Sequence, residues 1–459
     1  MKFDLLIKQG NIVTADASFK GDIAVKDGKI AVMGNKLDAD AHRIIDARGR
    51  YVIPGGIDVH VHFELPFCGT TSSDDFFTGT RAAACGGVTT VIDFATQDTQ
   101  KGLIAGIEKR RKAAEPKVCI DYSLHGNITS WNDNTPVEIA FAVALGIPTI
   151  KMFMIYEEEG WMADDAMLFS ALELTEVLNF RLMVHAESER VMKLLIAHYL
   201  EQKKKLGAYG HALSRPNFIE AEAVQRAITW TAVTAGRLYI VHMSTHEGVE
   251  LVRAARNDGI DVIAETCPQY LLLQDDVFKD KKTGHLYATC PQIKKKEDNL
   301  RLWQGLEEGI ISVVATDTCP FTTKQKAMWK GDFTKIPYGL PGVETLLPLI
   351  YTYGVRKGLL SMNQFVQVVS TNPAKIMGLY PRKGALSPGS DADITIFDPR
   401  KETVIDHKKL ATNCDWSPYQ GWKARGFPDY TLLRGNVIVE NGEFCGKQGM
   451  GTFIPRQLS

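Results

Sequence analysis

The chain has 459 residues, of which 45% are hydrophobic and 23% are charged, a composition typical of an ordered globular protein and not of a disordered or fibrous one. Its 53 Lys and Arg residues nearly balance its 54 Asp and Glu residues, so the net charge of −1 offers no bulk field for nucleic acid or an anionic membrane. We therefore expect a small-molecule partner, with neither a nucleic-acid nor a membrane partner.

The cysteines and the first residues favour a cytoplasmic protein. The chain contains 8 Cys residues, without a CxxC pair and at a density too low for a disulfide-stapled scaffold, so we expect them to be reduced. The N-terminal segment turns polar too soon for a signal peptide, and no run of about 18 apolar residues occurs anywhere. The predicted location is therefore the cytoplasm.

Both ends of the chain are rich in predicted β-strands. Apolar and polar residues alternate there, and Asp27-Gly28 and Asn441-Gly442 supply the turn chemistry of hairpins. No helix of note is predicted in the first fifty residues. The alternating segments are residues 4–10, 22–34, 392–399 and 430–444.

The middle of the chain, from about residue 55 to 375, predicts repeated βα units. Eight parallel strands with crossover helices close naturally into a barrel, although an open doubly wound sheet would show the same alternation. The position of the polar residues has to decide between the two. The candidate strands are residues 56–63, 88–95, 118–126, 148–156, 181–188, 237–244, 261–268 and 311–318, and helical periodicity runs through residues 74–87, 165–179, 220–236 and 248–259.

Metal-ligand residue types gather at the carboxyl ends of these strands, where a barrel of this type has its active site. His60 and His62 are two residues apart on the first strand, so their side chains point the same way. A lone buried histidine is more often a core residue than a ligand, but two on one inward face are hard to explain as packing. His185, His242 and Asp317 end later strands, and a buried carboxylate such as Asp317 needs a partner.

Lys151 interrupts an apolar strand, where an inward ammonium is strongly disfavoured. One interpretation is a buried lysine paired with an acid. The other is an amine whose pKa is lowered by a nearby metal and which takes up carbon dioxide to become a carbamate, an anionic ligand able to bridge two ions. Four imidazoles, one carbamate and one carboxylate would complete the ligand set of two divalent ions.

With these residues and several longer motifs, the chain resembles the dihydropyrimidinase/hydantoinase branch of the amidohydrolase superfamily. The resemblance runs nearly end to end, and its motifs are long and specific. They are PGGIDVHVHFELPF (54–67), DDFFTGTRAAACGGVTTVIDF (74–94), IKMFMIY (150–156), VHAESE (184–189), HALSRP (211–216), ETCPQYL (265–271), ATDTCPF (315–321) and GSDADITIFDP (389–399).

The resemblance implies an α/β fold, with a catalytic (β/α)8 TIM barrel over residues 54–380. Residues 1–53 and 381–459 are then expected to pair as a small β-sandwich domain. It also implies two divalent metal ions, usually zinc, bridged by a carboxylated lysine. His60, His62, Lys151 and Asp317 would hold one ion, and Lys151, His185 and His242 the other.

The implied reaction is the hydrolytic opening of a cyclic amide, a hydantoin or a 5,6-dihydropyrimidine, to an N-carbamoyl amino acid. In that scheme a hydroxide bridging the two ions attacks the ring carbonyl. Asp317 acts as base and then delivers the proton to the leaving nitrogen, and Tyr156 donates a hydrogen bond to the developing oxyanion. The alternative for Tyr156 is a loop tyrosine that packs on the barrel rim.

Three residues depart from the pattern of the branch at the rim of this site. Thr318 stands where relatives commonly have His, Cys290 where they have Ser, and Tyr338 where they have Asn. The last two positions are expected to hold the amide edge of the ring through backbone groups, which any side chain retains. By analogy, the residues that face the ring substituent are apolar, which predicts hydrophobic 5-substituted rings as substrates. These residues are Leu65, Phe67, Phe153 and Trp161.

Other assignments remain open at this point. A dihydroorotase would follow its His-x-His with x-Arg, whereas Phe63-Glu64 follows here. An allantoinase has the same architecture, as do the non-enzymatic collapsin-response mediator proteins, which have lost metal ligands. Relatives are typically homotetramers, and residues 446–459 could be an intersubunit arm or a frayed end.

Overall fold

The structure is a computed structural model and describes residues 2–202 and 206–458. None of its helices is both long and apolar enough to cross a bilayer in the residues so described. The strands are β1 (Phe3–Val13), β2 (Ser18–Lys26), β3 (Lys29–Gly34), β4 (Ala41–Asp46), β5 (Tyr51–Pro54), β6 (Gly56–Val61), β7 (Pro66–Phe67), β8 (Thr70–Thr71), β9 (Val88–Thr96), β10 (Asp121–Asn127), β11 (Thr149–Phe153), β12 (Arg181–His185), β13 (Leu238–Ile240), β14 (Val262–Thr266), β15 (Val313–Val314), β16 (Ile394–Val404), β17 (Lys423–Leu433), β18 (Asn436–Glu440) and β19 (Glu443–Phe444). The α-helices are α1 (Phe76–Cys85), α2 (Gly102–Ala114), α3 (Thr135–Ala144), α4 (Asp165–Leu174), α5 (Glu189–Glu201), α6 (Tyr209–Leu213), α7 (Phe218–Thr234), α8 (His246–Asn257), α9 (Pro268–Leu272), α10 (Lys296–Glu307), α11 (Thr323–Lys326), α12 (Leu346–Ile350), α13 (Met362–Val366) and α14 (Asn372–Ile376).

The eight strands β6 and β9 to β15 form the barrel. They are parallel and pair in chain order, from β6 next to β9 through to β14 next to β15. The sheet closes where a parallel bridge joins Val61 to Thr318 and the amide of His62 donates to the carbonyl of Thr318 at 2.9 Å. The predicted barrel is confirmed, and the open doubly wound sheet is wrong.

Helices surround the barrel and bury their apolar faces against the strands. The four predicted helices correspond to α1, α4, α7 and α8. Local capping explains where several begin: the Asp75 side chain accepts from the amide of Thr78 at α1, and Asp164 and Thr245 cap α4 and α8 in the same way. Helices α2, α3, α5 and α10 were not predicted.

The two ends of the chain were predicted to pair as a small β-sandwich, and they do pair as a separate β-domain beside the barrel, whose strands form one nine-stranded hydrogen-bonded sheet. Strand β5 pairs with β1 and with β16, and so joins the N-terminal strands to the C-terminal ones. The predicted hairpin turns are present, with φ of 51° at Asp27 and 56° at Asn441, each followed by a glycine of positive φ. The exact domain limits at residues 53 and 380 stay predictions.

The C-terminal segment packs on the barrel of its own chain, so its end is not frayed, while its role as an intersubunit arm stays a prediction. The amide of Ile454 donates to the carbonyl of Tyr122 at 2.7 Å, at the amino end of β10. Arg456 is 3% exposed and donates to Ser123 Oγ at 2.8 Å and Thr149 Oγ1 at 2.7 Å. Residues 446–458 therefore close the floor of the barrel; Ser459 lies outside the described residues.

A buried ion cluster joins the barrel floor to the terminal sheet. Lys383 Nζ lies 2.5 Å from Asp121 Oδ2, 2.5 Å from Asp393 Oδ2 and 3.0 Å from Asp391 Oδ2. Arg434 pairs with the other oxygen of Asp121. We call Lys383 and the three aspartates the Lys383 cluster. Lys383 alone does not balance three aspartates, and Arg434, Lys29 and Arg382 supply further positive charge to Asp121 and Asp391.

Candidate active site

A single cavity at the carboxyl end of the barrel brings together every candidate site residue from the sequence. It encloses about 50 Å³. Ligand-type residues form the base of the cavity, and aromatic and apolar residues form its wall. The lining residues are His60, His62, Leu65, Phe67, Asn127, Lys151, Phe153, Tyr156, Trp161, His185, His242, Cys290, Asp317, Cys319, Tyr338 and Gly339.

Asp317 lies at the centre of the base of the cavity. Its Oδ1 is 3.2 Å from His60 Nε2 and 3.2 Å from His62 Nε2, so both histidines of β6 and the loop after it reach the same oxygen. The pairing of β6 with β9 shifts register between Asp58 and Val61, an irregularity that re-aims side chains at the level of His60. Burial alone would raise the pKa of Asp317, but the fields of His60 and His62 lower it below its usual value.

Two buried carboxylates orient the histidines from behind. Glu265 Oε1 is 2.8 Å from His60 Nδ1 and also accepts from the backbone amide of His242 at 3.1 Å. Glu187 Oε2 is 2.7 Å from His185 Nε2. Each of these rings is thus fixed through one nitrogen by a carboxylate, the arrangement common to metal-ligating histidines.

The imidazoles of His60, His185 and His242 are neutral at ordinary pH because burial lowers their pKa. Neutral imidazole is the form that ligates metal. His242 Nδ1 is buried and finds no hydrogen-bond partner among the described residues. One ligand atom from each of His60, His242 and Asp317 lies within 4.8 Å of the others. This donor set fits a divalent metal ion.

Lys151 is 1% exposed and points into the cavity from β11. Its Nζ lies 5.4 Å from the Phe94 ring and 5.1 Å from the Phe153 ring. Burial lowers the pKa of Lys151 to about 8, against the opposing fields of Asp317 and Glu265, neither of which it hydrogen-bonds. Lys151 therefore has no hydrogen-bonded acid partner among the described residues, and its amine loses its proton more easily than that of an exposed lysine.

Three residues of the site have strained backbones. Tyr156, His242 and Asp317 adopt φ values of 72°, 39° and 52°, in the left-handed region that residues with side chains rarely occupy. Such strain costs about 1–3 kcal/mol per residue and persists where the surroundings impose it, commonly at functional sites. Each of the three follows the end of a barrel strand, where the chain turns sharply enough to aim its side chain into the cavity.

The three departures from the family pattern occupy different places. The side chain of Thr318 points away from the base of the cavity, because its hydroxyl accepts a hydrogen bond from the amide of Gly342 at 3.1 Å. Cys290 is buried and its thiol donates to Glu187 Oε2 at 3.0 Å. Tyr338 lies at the wall, where its ring stacks on His211 at 5.1 Å and its hydroxyl accepts from Arg215 at 3.1 Å.

The wall of the cavity is aromatic. The Phe67 and Trp161 rings stack at 5.5 Å, and Tyr156 packs edge-on against Phe67 at 5.2 Å. Burial raises the pKa of Tyr156 well above its usual value, so its hydroxyl stays protonated and able to donate. Leu65 and Phe153 complete the apolar surface.

Some functional residues escaped the sequence reasoning. Glu265 and Glu187 lie within the quoted motifs ETCPQYL and VHAESE, yet neither was assigned a role. An acidic residue at the end of a predicted apolar strand was the signal available for Glu265, the same signal that identified Asp317. Asn127, Cys319 and Gly339 line the cavity without a comparable signal.

Comparison with known proteins gives a consistent result. Residues 51–438 match the amidohydrolase family. The chain is 41% identical to a D-hydantoinase of Geobacillus stearothermophilus, over 98% of this chain and 96% of that protein. It is 40% identical to a D-hydantoinase of Ralstonia pickettii, over 99% of each chain. The crystal structure of dihydropyrimidinase from Brevibacillus agri NCHU1002 superimposes with a TM-score of 0.97 at 38% identity, over 98% of each chain.

Proposed function

Because this chain belongs to the amidohydrolase family and is a hydrolase of cyclic amides, we propose that it opens hydantoin or 5,6-dihydropyrimidine rings to N-carbamoyl amino acids, with 5-substituted hydantoins preferred. The observation that carries this proposal is the cavity in which a metal-ligand set meets an aromatic wall. The relatives that match it nearly end to end are named hydantoinases and a dihydropyrimidinase.

The ligand set fits two divalent ions, for which zinc is our choice. When bound, the ions would supply a water that is deprotonated near neutral pH and positive charge on the ring carbonyl. Two observations support this assignment. Nδ1 of His242 has no hydrogen-bond partner in the described residues, and carboxylates fix the rings of His60 and His185. His60, His62, Lys151 and Asp317 would hold one ion, and Lys151, His185 and His242 the other.

We assign Lys151 the bridging position as a carbamate. Its amine attacks the carbon of carbon dioxide, a nitrogen–carbon bond forms, and one proton is released. The lowered pKa of about 8 favours this step because only the unprotonated amine is nucleophilic. The product is anionic and offers two oxygen atoms, which removes the cost of a buried ammonium beside metal ions.

Asp317 and Tyr156 carry the proton transfer and the charge stabilisation. The carboxylate of Asp317 accepts a proton from the attacking water and returns it to the ring nitrogen as the carbon–nitrogen bond breaks. Tyr156 keeps its proton and donates a hydrogen bond to the carbonyl oxygen as negative charge develops there. The strained backbone at both residues holds these side chains in place before the substrate binds.

The wall selects the substrate. Backbone groups at Cys290 and Tyr338 hold the amide edge of the ring, and Leu65, Phe67, Phe153 and Trp161 surround its substituent. A cavity of about 50 Å³ is far smaller than the roughly 300 Å³ of an ordinary ligand pocket. A 5-aryl substituent would therefore extend from this cavity toward its open mouth.

A substrate panel tests the proposal. It contains dihydrouracil, hydantoin, alkyl and aromatic hydantoins, allantoin and dihydroorotate, scored for ring opening by the zinc-loaded protein. We expect the highest kcat/KM with 5-substituted hydantoins. Turnover of allantoin alone would assign an allantoinase, turnover of anionic rings alone would exclude the apolar pocket, and no turnover with less than one metal equivalent would favour a scaffold.

We also propose that the chain acts as a homotetramer in the cytoplasm. Helix α3 and the residue after it expose Val137, Phe141 and Leu145, at 48%, 59% and 42%, one turn apart on one face. All the described cysteines are free, as expected in a reducing compartment. Light scattering after size exclusion should give four chains, and the mass of one chain would overturn the tetramer. Cell fractionation tests the location.

A further inference from the structure

Lys326, at the end of helix α11, is a buried cation that the proposed reaction does not use. Its side chain is 0% exposed. Its Nζ donates to the carbonyl of Ala288 at 2.9 Å and to the carbonyl of Pro337 at 2.6 Å. Neither partner is charged, in contrast to the acid-paired Lys383. The two carbonyls come from two different segments of the chain.

These two segments carry the residues expected to hold the amide edge of the substrate ring. We call residues 288–290 and 337–339 the ring-edge segments; they include Cys290 and Tyr338, which line the cavity. The carbonyl of Ala288 also accepts from the amide of Gly339 at 3.0 Å. The ammonium of Lys326 and this backbone bond therefore join the two segments at one point, directly behind the cavity wall.

Two further contacts hold the segments from the opposite side. His211 Nε2 lies 2.8 Å from the carbonyl of Thr289, and Arg215 donates to the hydroxyl of Tyr338. His211 and Arg215 are themselves 3.0 Å apart and buried. Among the side chains that the structure describes, Lys326 alone hydrogen-bonds to the backbone of both segments.

Burying an ammonium without an acid costs several kcal/mol, so an apolar side chain would be the cheaper filling for this site. What the ammonium adds is a pair of charge-assisted hydrogen bonds, which are about twice as strong as neutral ones. Those bonds restrain the position of both ring-edge segments. Lys326 thus lowers the stability of the fold, and in return it fixes the positions of the two ring-edge segments in the cavity wall.

We propose that Lys326 is a positioning residue for substrate binding, which fixes the two ring-edge segments and so sets the KM for the ring. This inference rests on the proposed function, in which those segments grip the amide edge. Lys326 does not line the cavity or contact a proposed metal ligand. Its loss should weaken ground state and transition state equally, which raises KM and leaves kcat unchanged.

The charge of Lys326 gives the proposal a second readout. Burial lowers the pKa of Lys326 to about 7, so its hydrogen bonds weaken as the amine loses its proton above that pH. The titratable groups that face it are the thiols of Cys68, Cys319 and Cys414 and the imidazoles of His211 and His285, whose pKa values burial lowers below the usual value of histidine. Burial raises the pKa of Cys68 and Cys414 to about 12 and that of Cys319 well above its usual value, so all three stay neutral in this range.

The test compares wild type, Lys326→Met and Lys324→Met as zinc-loaded proteins. Lys324 lies on the same helix but is exposed, which makes it the matched control. With unsubstituted hydantoin we expect Lys326→Met to raise KM about 10- to 100-fold, the loss of charged hydrogen bonds, with kcat and zinc content unchanged. KM of the wild type should rise through about pH 7, and that dependence should be absent from Lys326→Met.

An unchanged KM in folded Lys326→Met, or a fall in kcat without a change in KM, would overturn the role of Lys326. If that variant does not fold, the wild-type profile decides: a KM that stays flat between about pH 6 and pH 8.5 would overturn it as well. A wild type that opens no ring in the panel refutes the proposed function instead. The two failures are therefore distinguishable.

Discussion

Two buried lysines at opposite ends of the barrel are accommodated in opposite ways. Lys383, at the barrel floor, lies within 3.0 Å of three carboxylates, whose fields raise its pKa although burial alone would lower it. Lys151, at the mouth, has no such partner, and burial lowers its pKa to about 8. The surroundings of Lys383 stabilise its protonated form, whereas those of Lys151 favour its neutral form. A buried lysine therefore reveals its role through its partners and not through its burial.

The same contrast extends to the groups around each lysine. In the Lys383 cluster, each carboxylate contacts Lys383, and Arg434, Lys29 and Arg382 add further positive charge, so the protein itself supplies the countercharges. At the mouth, three neutral imidazoles, an amine and one carboxylate come together, and His242 Nδ1 has no hydrogen-bond partner in the described residues. The Lys383 cluster at the barrel floor therefore stabilises the fold, whereas the residues at the barrel mouth are arranged to bind a cation. The following variants test this division, from the largest expected effect to the smallest.

Lys151→Met should separate function from stability. It removes the proposed bridging ligand, so we expect kcat/KM to fall on the order of 1,000-fold or more, about 4 kcal/mol, together with loss of bound zinc. The free energy of unfolding of the metal-free protein should stay the same or rise, because an apolar side chain of similar size replaces a buried amine. Zinc analysis, kinetics and urea unfolding measure the three quantities. Full activity with two zinc ions would refute the bridge.

Lys383→Met is the matched variant at the floor and should give the reverse result. It removes the cation that contacts all three buried carboxylates and leaves Asp393 without a cationic partner among the described residues, which we expect to cost about 3–5 kcal/mol in the free energy of unfolding. Zinc content and kcat/KM of the folded protein should match the wild type. Urea unfolding tests the first expectation. An unchanged free energy of unfolding would show that the Lys383 cluster does not hold the barrel floor to the terminal sheet.

Glu265→Gln tests whether a carboxylate at the mouth orients a ligand. Glu265 fixes His60 through Nδ1 and accepts from the hydroxyl of Tyr239 at 2.8 Å. We expect zinc affinity to fall by about 10- to 100-fold, as for other partners of metal-ligating histidines. Competition with a zinc chelator measures it. Tyr239→Phe keeps the carboxylate and is the control; an equal loss in both variants would point to packing and not to orientation of His60.

Asp391→Asn tests the floor through pH. Burial alone would raise the pKa of Asp391, but Lys383 and the hydrogen bonds around it lower the value to about 2. The folded-state pKa thus lies below the unfolded value of about 3.9, so the stabilisation is present above about pH 4 and is lost as the pH falls toward 2. We expect the difference in unfolding free energy between wild type and Asp391→Asn to shrink between about pH 5 and pH 3. A constant difference would exclude this linkage.

The sequence was sufficient to predict the barrel and most of the residues that line its cavity, but not Asn127, Cys319 and Gly339. Apolar strands and the polar residues that end them are local patterns, and parallel strands bring those ends together whatever lies between. His60, His185, His242 and Asp317 could be identified for that reason. Their roles as ligands remain predictions, although the cavity brings them together as expected.

What the sequence did not predict depends on contacts between distant residues. Glu265 lies 205 positions from His60, whose ring it orients, and no local pattern joins them. The two carbonyls that bind Lys326 are equally invisible in a sequence, because backbone acceptors have no residue type. The strained φ at Tyr156 and Asp317 is imposed by the surrounding fold and runs against the local preference of both residues.

The docked C-terminal segment has a consequence for the order of folding. Residues 446–458 close the barrel floor, yet they leave the ribosome after all the strands they contact. The contact between Arg456 and Ser123 spans 333 positions, and loops that long form late because their closure is entropically costly. A nascent chain that stalls before residue 446 would thus carry all six proposed metal ligands on a barrel without a floor.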